Sequence, residues 1–266
     1  MKRHLSTALY LLLPASLAAY LALGYLTERT DFPRLVLLYG FLFGAYAVLA
    51  RNMRTPAQFR AALAAALVFR LSLLVVLPNL SDDYFRFVWD GRLLTHGVNP
   101  YLVLPRKLIG TPVATEAGLS PTLLSRLNSP AYYTVYPPLH QAMSAVAVWT
   151  FPRNLLGSVV VMRLFVLLAE AGTVYWLIRL LERWQLPKGR ALLYALNPLV
   201  VVELTGNLHF EAVMIFFLLS AVYALPTNSN GPRRRLGLVT SALRVALAIG
   251  TKLIPLLFLP LLWKSL

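Results

Sequence analysis

The stretch 81-SDDYFRFVWDGRLLTHGVNPY-101 follows a long apolar run and holds Asp82, Asp83 and Asp90, three of only ten acidic residues in the chain. They stand among Tyr84, Phe85, Phe87 and Trp89, where the chain leaves the apolar run. If 83–97 is helical, Asp83, Arg86 and Asp90 share one stripe at about 100° per residue, with Phe87 and Leu94 beside them. Phe85, Val88 and Trp89 point the other way. This pattern predicts an interfacial helix, aromatics toward lipid and acids toward a polar cavity. Ser81 or Asp82 suits its N-cap, and 97-GVNPY-101 reads as a stop and turn.

The surrounding chain is membrane-like. Of its 266 residues 58% are hydrophobic and 13% charged, about half the charge of a soluble domain, and the apolar residues come in long runs. By the ~20-residue criterion about eight runs qualify as spans: 5–26, 34–50, 59–80, 136–151, 155–181, 190–206, 210–226 and 236–264. The fold expected is an all-α membrane protein of about eight transmembrane helices. It forms a single polytopic domain over 1–266, with a long outer loop at about 81–135. That loop is rich in proline (Pro100, Pro105, Pro112, Pro121, Pro130) and predicts two short helices, 83–97 and 115–128. The start has a basic end and a long apolar run without a clean cleavage site, which favours a first transmembrane helix over a removed signal.

The net charge of +15 comes from Lys and Arg at the ends of apolar runs, as the positive-inside rule expects. It reads as topology, contact with membrane lipids and an anionic lipid substrate, with no nucleic acid. Lys2, Arg3, Arg51, Arg54 and Arg60 put the N-terminus and the second connection in the cytoplasm, so Asp82 and Asp83 emerge on the non-cytoplasmic side. Arg179, Arg183, Lys188 and Arg190 also read as cytoplasmic, as do Arg233–Arg235 beyond the 227–230 linker. That conflicts with a full crossing by 136–151, so either this segment is re-entrant or the rule fails there. With no cysteine, thiolate metal sites and cysteine nucleophiles are excluded.

Charges at membrane depth cost a few kcal/mol each and mark function by default. Arg70, Arg163, Glu170, Glu203, His209, Glu211, Arg244 and Lys252 lie within or beside the apolar runs. The structural alternative is a buried ion pair, Arg163 with Glu170, or snorkelling near a helix end. Lys252 lies deep in its run, three residues before Pro255.

Four blocks now resemble a known family in order. SDDYFRFVWDGRLLTHGVNPY is similar to the first outer loop of the GT-C superfamily of polytopic glycosyltransferases, in particular its polyprenyl-phosphate-mannose-dependent mannosyltransferase-like group. The stretches 132-YYTVYPPLHQ-141, 197-NPLVVVELTGNLHFEA-212 and 252-KLIP-255 are similar to its Y-P-P-x-x-Q, N-P-x…E…N-x-H-x-D/E and K-x-x-P segments. The chain stops at 264-KSL-266, where the family usually continues for several spans, so it is expected to be a short or C-terminally truncated member, or a fragment. Glu211 stands where Asp is commoner.

The resemblance implies transfer of a sugar, mannose first, from a polyprenyl phosphate to an acceptor hydroxyl on a glycan, lipid or protein, on the outer face of a bacterial plasma membrane. It implies inversion, with Asp83 as general base and Asp82 as its substitute. An adjacent acid raises a carboxyl pKa toward the working range. Lys252, Arg86 and Arg163 are the expected cations for the growing phosphate charge. Asp90, His209, Glu211 and Tyr136 complete the expected substrate contacts, Tyr136 with an equal claim to shaping the start of the next helix. A divalent ion, Mg or Mn, would be held by Asp82, Asp83 and Glu211 as hard oxygen ligands. Trp89 and Tyr101 are expected as interface anchors. The competing class is a transporter or flippase for a lipid-linked or anionic substrate. It would place its acids at mid-membrane across two repeats, whereas the densest cluster here is in the loop. A third reading, a catalytically dead interaction subunit, rests on the short C-terminus.

Overall fold

The computed structural model describes residues 2–53, 55–226 and 231–262. Arg54, the linker 227–230, the 264-KSL-266 end and the side chains of Lys2 and Arg3 lie outside that description. Among the described residues every regular element is helical. Besides short 3-10 turns, in chain order these are α1 (Lys2–Leu26), α2 (Phe32–Asn52), α3 (Pro56–Ser72), α4 (Asp83–Thr95), α5 (Pro112–Glu116), α6 (Pro121–Ser125), α7 (Pro138–Thr150), α8 (Leu155–Arg183), α9 (Leu192–Ala195), a π-helix (Val200–Gly206), α10 (Glu211–Ala224), α11 (Pro232–Thr251) and α12 (Leu259–Leu262).

Proline opens many of these helices, because the first turn has no use for the missing N–H. Thr55 caps α3 in a full capping box with Gln58, and Thr111 and Ser120 cap α5 and α6 through their hydroxyls. The single helix expected over 115–128 is two. Gly118 turns left-handed at φ 63 and Pro121 restarts the chain, while Arg92 Nη1 donates to Gly118 O.

Leu9–Leu26, Phe32–Asn52 and Leu155–Arg183 are helices long and apolar enough to cross a membrane. A fourth span results if Val200–Gly206 and Glu211–Ala224 are one broken crossing. The other stretches are shorter or more charged: α3 has 17 residues, α7 has 13, and α11 carries Arg233, Arg234, Arg235 and Arg244. Leu11, Leu26, Phe32 and Leu37 are each well over half exposed, as a membrane protein requires of its lipid-facing side chains.

The chain forms two compact units, Met1–Leu80 with Glu170–His209, and Ser81–Ala169 with Phe210–Leu266. In the first, Tyr20, Leu42, Phe69, Leu73, Leu192 and Val201 belong to one buried core. Arg70 is buried there. Its Nε donates to Glu170 Oε2 at 2.8 Å and its Nη1 to Ala66 O and Ala195 O, while Tyr194 Oη donates to Glu170 Oε1. Glu170, expected beside Arg163, thus spends these bonds on Arg70 and Tyr194.

In the second unit α4 packs on α7 and α10 on α11. The α4–α7 approach is close enough that a Cβ on Gly91 would lie 2.7 Å from Ser144 O. The short loop helices build a small core of Trp89, Leu93, Leu108, Ala114 and Leu119. This corrects the expectation that Trp89 and Val88 face lipid: Trp89 is fully buried and Val88 nearly so. The loop helices fold over α4 and supply the apolar surroundings that the sequence suggested lipid would provide. Tyr101, the other expected anchor, is partly exposed and donates its hydroxyl to Tyr136 O at 2.6 Å.

Candidate active site

The candidate site is built in the second unit from the start of α4, the 128–136 segment, α7, α10 and the end of α11. Asp82 occupies the N-cap position of α4 without a side-chain capping bond, and Ser81 Oγ accepts from the Asp83 N–H at 3.4 Å. Asp83 begins the helix. Its Oδ1 accepts from Asn128 Nδ2 at 2.6 Å, and the side chain stays half-buried. A carboxylate in the first turn gains from the positive end of the helix. Asn128 fixes one oxygen and leaves Asp83 capacity to accept a further hydrogen bond.

One turn on, Arg86 and Asp90 form a buried ion pair, Nε to Oδ1 at 2.8 Å, with side chains 2% and 1% exposed. Arg86 Nη1 also donates to Ser129 O and Tyr132 O, both at 3.1 Å. Gln141 Nε2 donates to Asp90 Oδ2 and to Thr134 Oγ1, each at 2.9 Å. Burial pushes the Asp90 carboxyl above its usual range, against the pull of Arg86, Thr134 and Gln141. The pair therefore stitches the 129–134 segment to α4 and α7, and so sets where Asn128 meets Asp83.

Lys252 lies just past α11 in an extended conformation. Its Nζ stands 3.0 Å from Glu211 Oε1, with side chains 24% and 29% exposed, and 5.6 Å from the centre of the Tyr136 ring. Glu211 Oε2 is buried and has no hydrogen-bond partner. Tyr136 stacks on His140 at 4.6 Å, and Phe87 meets it edge-on at 4.9 Å. Phe87 and Phe210 close on His140 at 4.4 and 4.3 Å. Burial raises the Tyr136 hydroxyl pKa, and the charges of Asp83, Asp90 and Glu211 raise it further. Tyr136 is thus the side chain that feels both the Asp83 carboxylate and the Lys252–Glu211 pair.

Of the sequence-derived candidates, Asp82, Asp83, Arg86, Asp90, Tyr136, Glu211 and Lys252 lie in this unit, as does Arg163, which is fully buried within α8. His209 belongs to the first unit, where Nδ1 stands 3.6 Å from Glu203 Oε2. Asn128, His140 and Gln141 escaped the sequence reading. His140 and Gln141 lie within 132-YYTVYPPLHQ-141, which offered a signal, while Asn128 in an irregular loop offered none. Among the described residues no three His, Asp or Glu side chains meet as a metal-holding group, Asp82, Asp83 and Glu211 included.

The chain is similar to two proteins of Mycobacterium tuberculosis (strain ATCC 25618 / H37Rv). It is 27% identical over 156 residues to Alpha-(1->6)-mannopyranosyltransferase Rv1459c, covering 58% of this chain and 25% of that protein. It is 28% identical over 155 residues to Alpha-(1->6)-mannopyranosyltransferase A, covering 57% and 28%. The matched region thus spans about a quarter of each relative's length. No solved structure matches the chain. Residues 17–265 match the family described as Alpha-(1->6)-mannopyranosyltransferase, N-terminal domain, so the chain belongs to that family of membrane mannosyltransferases, as the four sequence blocks had suggested.

Proposed function

We propose that the chain carries the donor-side catalytic site of a mannosyltransferase that uses a polyprenyl-phosphate mannose. The acceptor hydroxyl attacks the anomeric carbon while its proton passes to Asp83. The new C–O bond forms as the bond from that carbon to the phosphate oxygen breaks, and polyprenyl phosphate leaves with one more negative charge. In-line displacement inverts the anomeric centre, so a β-linked donor gives an α product. Lys252, parked on Glu211, moves toward that growing charge and stabilises the transition state more than the ground state. Arg86 and Asp90 act by positioning the segment that orients Asp83.

The observation that carries this reading is that one unit holds a half-buried carboxylate, Asp83 fixed by Asn128, and a partly exposed lysine, Lys252 on Glu211, the base and cation that such a displacement needs. The multi-pass arrangement and an outward-facing site belong to the same reading. A 13-residue α7 is about 20 Å long at 1.5 Å per residue, short of a core of about 30 Å. A re-entrant α7 removes the conflict between the basic clusters at 179–190 and the positive-inside rule.

The test is transfer of radiolabelled mannose from polyprenyl-phosphate mannose in membranes holding the chain, wild type against Asp83→Asn, with and without chelator. The expected outcome is a loss of about 10²–10⁴-fold in the variant. Equal transfer in both removes Asp83 from the chemistry, and loss on chelation of wild type brings a metal into it.

A further inference from the structure

The second unit carries an apolar surface that the proposed displacement does not use. Two loop segments, 101–106 and 130–136, lie side by side. Tyr101 Oη donates to Tyr136 O at 2.6 Å, and the Arg106 N–H donates to Pro130 O at 3.1 Å. The segments therefore run in opposite directions, which sets Leu102 level with Val135. Arg86 Nη1 fixes the second segment by donating to Ser129 O and Tyr132 O. Thr134 is buried and accepts from Gln141 Nε2 at 2.9 Å. With Thr134 turned inward, its neighbours Tyr133 and Val135 are left outward. Leu102, Tyr132, Tyr133 and Val135 are 75, 70, 53 and 77% exposed. Arg106 and Lys107, also exposed, follow at the Pro130 end.

Four large apolar side chains together on one surface mark a place that something covers. They cannot fold inward, because the backbone that carries them is held by Arg86, Tyr101 and Arg106. Their composition points to what covers them. Tyrosine joins an apolar ring to a hydroxyl, which suits the boundary between acyl chains and headgroups. Lys and Arg bring long apolar stems and charges that reach headgroup phosphates. Neither segment contains a carboxylate to repel an anion. Val135 also stands three residues before the start of α7 at Pro138, an apolar helix that exposes Val146 and Trp149. The surface thus lies where the chain passes into apolar helix.

We propose that Leu102, Tyr132, Tyr133 and Val135, flanked by Arg106 and Lys107, form a docking surface for an anionic lipid bilayer. They take the anchoring role that Trp89 was expected to fill. Docking holds the 130–136 segment at the membrane surface, and with it Tyr136 and the carbonyls that Arg86 binds. The inference needs a membrane beside the loop and does not rest on the mannosyl-transfer reading.

The experiment uses the absence of cysteine to place one nitroxide spin label at a time on the full chain in nanodiscs. The positions are Leu102→Cys, Tyr133→Cys and a control, Thr122→Cys, which is exposed on α6. Thermal unfolding reports folding, and either of the first two positions suffices if the other disturbs the loop. Power-saturation EPR compares oxygen, which concentrates among acyl chains, with a neutral nickel chelate, which stays in water. In discs containing phosphatidylglycerol, the labels at 102 and 133 should favour oxygen and the Thr122 label the chelate. Discs of phosphatidylcholine alone should shift the first two labels toward the chelate. Arg106→Gln with Lys107→Gln should do the same in anionic discs at low salt, lowering the docked-to-undocked ratio about fivefold per charge removed. Labels at both positions as open to the chelate as Thr122 overturn the surface. Oxygen preference that is equal in both kinds of disc, and unchanged by the double variant, overturns the anionic partner. Mannose transfer is measured separately, so failure of either inference leaves the other standing.

Discussion

At the residue scale, the division of labour between Arg86 and Lys252 rests on burial. Arg86 is 2% exposed and bonded to Asp90 and two carbonyls. Lys252 is accessible and held by one carboxylate. Arg86→Ala leaves Asp90 buried without its cation, and unfolding should show a loss of about 3–5 kcal/mol. Lys252→Gln should leave stability nearly unchanged while transfer falls about 10²–10³-fold, mostly in kcat, because in the proposed displacement its charge matters most when the phosphate leaves. A Lys252→Gln variant with only a raised KM would place Lys252 in ground-state binding instead. Asp90 supplies a pH signature. Burial raises its folded pKa above the ordinary 3.8 of a free aspartate, so folding takes up a proton as acidity increases. Its contribution to stability is fully present below 3.8 and lost as pH rises through the raised folded value. Wild type should therefore gain stability relative to Asp90→Asn as pH falls through that window, and a flat difference between the two would contradict the shift.

At the scale of elements, the close packing of α4 on α7 decides where Asp83, the proposed base, stands. Gly91 faces Ser144 O and Val148, and a methyl there would lie 2.7 and 2.8 Å from them. Backbone cannot yield as a side-chain tip can. Gly91→Ala should cost about 1–3 kcal/mol by overpacking and should reduce transfer beyond that loss, since α4 carries Asp83 and α7 carries Gln141. Full transfer with a normal melting temperature would show that α4 can shift without disturbing the base. The sequence marked α4 correctly to within two residues at its end, because its polar stripe and its Gly97 stop are local signals. It joined α5 and α6 into one helix, because the break depends on Gly118 turning left-handed beneath Arg92.

For the whole molecule, the absence of cysteine makes single-cysteine labelling clean. Thr122→Cys in the loop should react with a membrane-impermeant maleimide on intact cells. Arg51→Cys should react only after permeabilisation. The reverse pattern would invert the orientation and put Asp83 on the cytoplasmic side.

Apolar runs, basic flanks and the four ordered motif blocks were enough, within the sequence, to identify a helical membrane protein of the mannosyltransferase family and to single out Asp83 and Lys252. These are linear signals: hydropathy, charge bias and spacing survive without coordinates. Which charges meet was decided only by tertiary structure. Glu170 bonds to Arg70, a hundred positions away. Asn128 orients Asp83 across 45 positions, and Tyr39 reaches Glu203 across 164. Trp89 faces a loop core that its own helix could not announce. A helical period reports the direction in which a side chain points, but what covers that face depends on segments brought there by folding, and long-range partners leave no trace in local spacing.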